Sequence, residues 1–275
     1  MPELPEVETV RKTLEQLVIG KEIEAVAIHW PNIIKKPKDH EQFARELPGQ
    51  RIEAVGRRGK FLLFYLTDYT LVSHLRMEGK YGVYKKEDEL DKHTHVIFSF
   101  KDETELRYKD VRKFGTMHLF PKGEEEGQLP LSQLGPEPLS AEFSPEYLSR
   151  ALKRTNRSIK AVILDQKVVV GVGNIYVDES LFRAKIHPER PASSLKPEEI
   201  DILVDQIKKT LAEAIKQGGS TIRTYLNSQG QIGMFQQQLL VYDRAGELCT
   251  ECGSHIDKIR VAGRGTHYCP NCQKK

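Results

Sequence analysis

The sequence predicts an α+β chain of two domains: an N-terminal helix leading into an antiparallel β-sandwich or barrel, then a helical half ending in a metal-binding tail. Three observations carry this. Short apolar runs of period two occupy the region from Lys21 to about Phe120. Helical spacing replaces them beyond a stretch rich in Gly, Pro and Ser. The cysteines fall as Cys249-x2-Cys252-x16-Cys269-x2-Cys272. With 275 residues the chain can bury a substantial core and has room for about two domains.

The first element is a helix. Pro5 suits a first helical position, Glu6 and Glu8 complement the helix dipole, and Val7, Val10, Leu14 and Leu17 fall on one face. Pro2 then sits just outside a buried helix start. The runs Phe61 to Tyr65, Leu71 to His74, Val96 to Phe100 and Met117 to Phe120 read as strands. The stretch from Gly127 to Ser140 reads as a linker, because its glycines, prolines and serines favour turns. Beyond it, Ser144-Pro145 is an N-cap followed by proline at the first helical position. Ile200, Leu203, Val204, Ile207, Leu211 and Ile215 mark an amphipathic helix stopped by Gly218-Gly219.

Charge is nearly balanced, with 42 Lys+Arg against 39 Asp+Glu and a formal net of +3, so only local clusters argue for a polyanion partner. One such cluster is the tail: residues 249–275 hold five Lys+Arg and two Asp+Glu. All four cysteines belong to the tail, which leaves none for a disulfide framework and fits a reducing, cytosolic compartment. The opening has no apolar signal-peptide core, and no later run approaches the roughly 18 apolar residues of a membrane span.

Two ends of the chain carry chemistry. Two CxxC knuckles, Cys249/Cys252 and Cys269/Cys272, place four thiolates around one structural zinc, a closed site with no open position for catalysis. Between them, Gly263 and Gly265 flank Arg264, so a tight hairpin can present its guanidinium to a phosphate. At the other end, removal of Met1 would free the secondary amine of Pro2. A terminal amine has a pKa near about 8 against about 10.4 for lysine, so far more of it is unprotonated at neutral pH. Attack on an aldehyde-like carbon gives an iminium with no N–H to lose, a cationic electron sink that promotes elimination beside it. Glu3 adjoins this amine as a candidate general acid and base, and Lys60 in Arg57-Arg58-Gly59-Lys60 adds positive charge near a strand end.

Five blocks occur in order along the chain: Met1-Pro-Glu-Leu-Pro-Glu-Val-Glu-Thr-Val10, His74-Leu-Arg-Met-Glu-Gly-Lys80, Asp110-Val-Arg-Lys-Phe-Gly115, Gly171-Val-Gly-Asn-Ile-Tyr176 and the cysteine tail. Together they resemble the bacterial formamidopyrimidine-DNA glycosylases, which repair 8-oxoguanine. The resemblance implies an N-terminal β-sandwich, a helix-two-turn-helix module and a zinc finger, with boundaries at 1–130, a linker at 131–140, 141–225 and 240–275, and a lesion-covering loop at 218–236. It implies a bifunctional glycosylase and AP lyase with one structural zinc, which acts as a cytoplasmic, nucleoid-associated monomer on double-stranded DNA carrying an oxidised purine or abasic site. Pro2 would form a Schiff base with C1′, Glu3 would protonate the sugar ring, and Lys60 and Arg264 would assist β- and δ-elimination. His74, His93, Lys160 and Asn174 would contact the DNA backbone near the lesion. Met77, Arg112 and Phe114 would fill the hole left by the everted base.

Two rivals differ in chemistry. An endonuclease VIII-like glycosylase shares the architecture but prefers oxidised pyrimidines; the opening Pro2 to Glu6 and the Arg112-x-Phe114 pair favour the purine enzyme. A non-catalytic zinc protein that bends DNA would use the finger but have no use for a proline amine.

Overall fold

The computed structural model describes residues 1–220 and 234–275; most of the loop expected at 218–236 lies outside the described residues. In chain order the elements are α1 (Leu4–Val18), β1 (Ile23–Ile28), β2 (Ile34–Lys36), α2 (His40–Glu46), β3 (Ile52–Arg58), β4 (Phe61–Leu66), β5 (Tyr69–His74), β6 (Lys80–Lys85), β7 (Thr94–Phe100), β8 (Thr104–Lys109), β9 (Thr116–Pro121), α3 (Pro145–Leu152), α4 (Ile159–Leu164), α5 (Asn174–Arg183), α6 (Pro197–Lys216), β10 (Asp257–Val261) and β11 (Arg264–Tyr268). They fall into two compact units, one of Met1–Ser132 joined by Ser220, the other of Gln133–Gly219 and Met234–Lys275.

The first unit is a sandwich of two sheets, ordered β1-β7-β8-β6 and β2-β9-β5-β4-β3. One core serves both. Phe98, Phe100, Leu106 and Tyr108 from the first sheet meet Leu62, Phe64, Leu71 and Met117 from the second, and the Val7, Val10, Leu14 and Val18 stripe of α1 joins them. Two features depart from the sequence reading. The edge strand β2 runs parallel to β9 in an otherwise antiparallel sheet, and α2 interrupts the strand region. Asp39 explains the helix, because its carboxylate accepts the Glu41 amide at 2.9 Å and caps the first turn.

The second unit is helical up to its zinc-finger hairpin. Ser144 caps α3 by accepting the Tyr147 amide at 3.2 Å, with Pro145 opening the helix. α6 buries Ile200, Leu203, Val204, Ile207 and Leu211 and ends where Gly218 turns left-handed at φ 76°. The amide of Gly219 then reaches back to the Ala214 carbonyl, satisfying an end group of the helix. At the far end of α5, Phe182 packs with Val241, Ile256, Cys249 and Cys269, so the metal-binding module rests on a helix and has little core of its own.

Candidate functional site

Pro2 is buried and immediately precedes α1. Glu3 is the N-cap residue, and its backbone N–H donates to the Glu6 carboxylate at 2.8 Å. The other oxygen of Glu6 accepts both the amide and the hydroxyl of Ser220, at 2.8 and 3.2 Å. A buried carboxylate thus fixes the backbone beside Pro2 and Glu3, a role that sequence reasoning, which assigned Glu6 to the helix dipole, missed.

Lys60 lies in the β3–β4 turn and is buried to 6% exposure. Glu8 of α1 binds Arg57 at 3.0 Å, and Arg57 in turn donates to the Gly59 carbonyl at 2.9 Å, which ties the turn bearing Lys60 to the helix that follows Pro2. His74, paired in register with Phe61 next to Lys60, is buried edge-on against the Phe61 ring. Desolvation, and then the nearby charges of Arg76 and Lys60, lower its pKa to about 3. His74 is therefore neutral, and its Nδ1 accepts the Arg76 amide at 2.9 Å, which leaves the proton on Nε2 as a donor.

Met77 and the segment Val111–Phe114 stand on two loops of the sandwich. Met77 and Phe114 are exposed, unusual for large apolar residues, and the Arg112 guanidinium lies 4.7 Å from the Phe114 ring centroid. His93 is half-buried, and its carbonyl accepts the Asp110 amide at 3.0 Å, which sets it beside the second loop.

In the second unit, Val261 pairs with Arg264 across a two-residue turn in which Ala262 and Gly263 have φ of 48° and 74°. Arg264 is exposed at the end of this hairpin. Its neighbour Gly265 offers a carbonyl that accepts from Asn174 at 2.9 Å and from Lys160 at 3.2 Å. Lys160, expected near the DNA backbone, lies inside the protein. It has no exposed surface, and its ammonium is bound by Asp178 and the Thr266 hydroxyl, both at 2.7 Å. Asp178 also accepts the His267 amide at 2.9 Å, so the Lys160–Asp178 pair clamps the hairpin to α4 and α5. On the same helix, Glu179 gathers the amides of Leu240, Val241 and Tyr242, and burial pushes its carboxyl up.

The four cysteine sulfurs lie within 4.8 Å of one another, with 3.9 Å between Cys249 and Cys272 and 3.4 Å between Cys252 and Cys269. A tetrahedral zinc with bonds of about 2.3 Å needs sulfurs about 3.8 Å apart, so the residues fit the ion. Hydrogen bonding to Ser254 and Asn271 lowers the Cys252 thiol, whereas burial raises those of Cys269 and Cys272.

Three family models match in succession: the formamidopyrimidine-DNA glycosylase N-terminal domain over residues 1–117, its H2TH domain over 134–226, and a zinc finger found in FPG and IleRS over 246–275. The chain belongs to the formamidopyrimidine-DNA glycosylase family. Proteins of that name from Bacillus licheniformis and Bacillus subtilis are each 62% identical over 275 residues, with the whole of both chains covered. Among solved structures, a Lactococcus lactis Fpg in complex with DNA containing an abasic site has a TM-score of 0.93 at 44% identity, covering 99% of this chain and 100% of that one. Its G-to-P variant in complex with Fapy-dG DNA reaches 0.94 at 43%, with both chains fully covered. The chain is thus a DNA repair enzyme of this family whose cofactor is one structural zinc. Among the described residues, no helix is long and apolar enough to cross a membrane.

Proposed function

We propose that the protein everts and excises oxidised purines, 8-oxoguanine and formamidopyrimidines, from double-stranded DNA with Pro2 as nucleophile, then cuts the strand at the resulting abasic site. The observation that carries this reading is the anchored start of α1, where Glu6 holds the Glu3 backbone next to Pro2 and the Glu8–Arg57 pair ties in the turn of Lys60. The family's name and the DNA complexes of its Lactococcus lactis member support the substrate class.

In this reaction the Pro2 nitrogen forms a bond to C1′ as the glycosidic bond breaks, and the base leaves with the electron pair. The Pro2 N–H proton passes to the departing base, and the lone pair so freed opens the sugar ring to the iminium while Glu3 donates a proton to the departing O4′. The iminium acidifies C2′–H; loss of that proton expels the 3′ phosphate, and a second elimination expels the 5′ phosphate. Lys60 and Arg264 assist these departures by neutralising phosphate charge. Neutral His74 donates from Nε2 to the backbone, with His93 and Asn174 contacting neighbouring phosphates. Lys160 acts one step back, by holding the carbonyl of Gly265 beside Arg264. Met77, Arg112 and Phe114 occupy the space of the everted base.

Residues 1–130 are the catalytic portion on this reading, 131–140 the linker, and 141–225 with 240–275 the DNA-holding portion. The protein works as a monomer in the bacterial cytoplasm on nucleoid DNA, a placement supported by its bacterial relatives. The test is borohydride trapping on duplex DNA with 8-oxoguanine opposite cytosine. The mature protein is expected to give a covalent adduct that Pro2→Gly abolishes; excision of oxidised pyrimidines alone would assign the chain to the other substrate class.

A further inference from the structure

The two exposed loops that carry Met77 and Arg112/Phe114 meet at a single buried group. Tyr108 of β8 is fully buried, and its ring packs on Tyr81 at 5.0 Å between centroids. Its hydroxyl donates to Asp110 at 3.3 Å. A Cβ added at Gly115 would lie 1.7 Å from that hydroxyl oxygen, and one added at Gly79 would lie 2.3 Å from it. Gly79 closes the turn of Met77, its amide donating to the Leu75 carbonyl at 2.9 Å. Gly115 closes the loop of Arg112 and Phe114. One phenolic oxygen therefore touches the last residue of each loop, and each glycine lacks a side chain where that oxygen sits.

Asp110 completes the device. It is 1% exposed, and its carboxylate accepts the amides of Arg112 at 3.0 Å, Phe114 at 2.9 Å and Gly115 at 2.8 Å. Its own carbonyl bonds to His95 Nε2 at 2.8 Å. Three amides of one loop on one carboxylate hold the turn around Lys113, whose φ is left-handed at 59°. Arg76, next to Met77, is likewise left-handed at φ 54°. Non-glycine residues hold that conformation only where surrounding bonds impose it.

We infer that Tyr108 and Asp110 are positioning residues that lock the Met77 loop and the Arg112–Phe114 loop at a fixed spacing, so that the three side chains enter the vacated base site as one preformed unit. This inference rests on the void-filling reading of those three residues. Preformation matters because a tip ordered only on binding would add its ordering cost to that of opening the base stack. Neither residue needs to touch DNA.

The experiment compares strand cleavage at an abasic site in duplex DNA with cleavage at the same site in single-stranded DNA, where no stack has to be filled. Tyr108→Phe keeps the ring and removes the oxygen; Asp110→Asn keeps one acceptor oxygen but sets an NH2 group against either the Arg112 amide or those of Phe114 and Gly115. Each is expected to lower duplex cleavage relative to single-strand cleavage, Asp110→Asn by about tenfold, as for a lost buried acceptor. Arg112→Ala serves as the reference for the void-filling role. If Arg112→Ala shifts the ratio while Tyr108→Phe and Asp110→Asn leave it unchanged, the positioning role is overturned and the void-filling reading survives. If Arg112→Ala itself leaves the ratio unchanged, both fall. Should Asp110→Asn fail to fold, Tyr108→Phe decides the matter.

Discussion

Each unit presents an exposed arginine on a segment anchored by a buried aspartate, and the two segments are held by different physics. In the sandwich, Asp110 under Arg112 accepts backbone amides and a tyrosine hydroxyl, inside a core shared by two sheets. At the finger, Asp178 of α5 holds the His267 amide of the hairpin and pairs with a buried lysine, and four sulfurs of the tail gather for a metal ion. A large sandwich can immobilise a loop with hydrogen bonds alone. A hairpin of two five-residue strands buries too little apolar surface to do so, and uses an ion and an ion pair in its place.

Zinc removal is the severest way to break this comparison. Chelation, or Cys269→Ser, is expected to unfold the hairpin and abolish DNA binding. Trp30 is the chain's only tryptophan and packs, partly buried, against the sandwich core, so its fluorescence should be unchanged by the same treatment. A simultaneous change in Trp30 emission would show that the sandwich also depends on the metal.

The ion pair gives the next largest effect. Lys160→Met leaves Asp178 buried without its cation and should cost about 3–5 kcal/mol in denaturant unfolding of the helical unit. The double variant Lys160→Met/Asp178→Asn, which keeps an acceptor for the His267 amide, should cost less than the single one. If the double variant is the less stable, the pair acts as more than compensated charge.

His74 gives the most specific effect, one confined to acid and absent at neutral pH. It holds its proton only near pH 3 in the folded chain against about 6.5 unfolded, so the unfolded state binds more protons between those values. The stability contribution is complete above pH 6.5 and is lost as the pH falls toward 3, with a slope of up to about 1.4 kcal/mol per pH unit. His74→Gln should flatten that part of the curve of Tm against pH; an unchanged slope would mean that His74 titrates normally.

What the sequence made legible is local. Pro5, Ser144-Pro145 and Gly218-Gly219 announce helix ends through backbone chemistry, and the cysteine spacing announces its metal. Asp39 carries the same kind of signal for α2, but the period-two apolar runs on either side of it mask a helix of seven residues. Long-range partnership stayed hidden. Lys160 lies in a run whose neighbours Ile159, Val162 and Ile163 are also buried, but its anion is 18 positions away and its other partners lie in the finger. Tyr108 and Asp110 were invisible as a device for the same reason: the glycines that accommodate the tyrosine stand on different loops.

On the proposed function, the amine at position 2 makes the bond to the sugar. The most direct measurement is peptide mapping by mass spectrometry of the borohydride-reduced conjugate with abasic-site DNA. The deoxyribose remnant is expected on an N-terminal peptide beginning at Pro2; its recovery on Lys60, Lys160 or any other side chain would contradict the account.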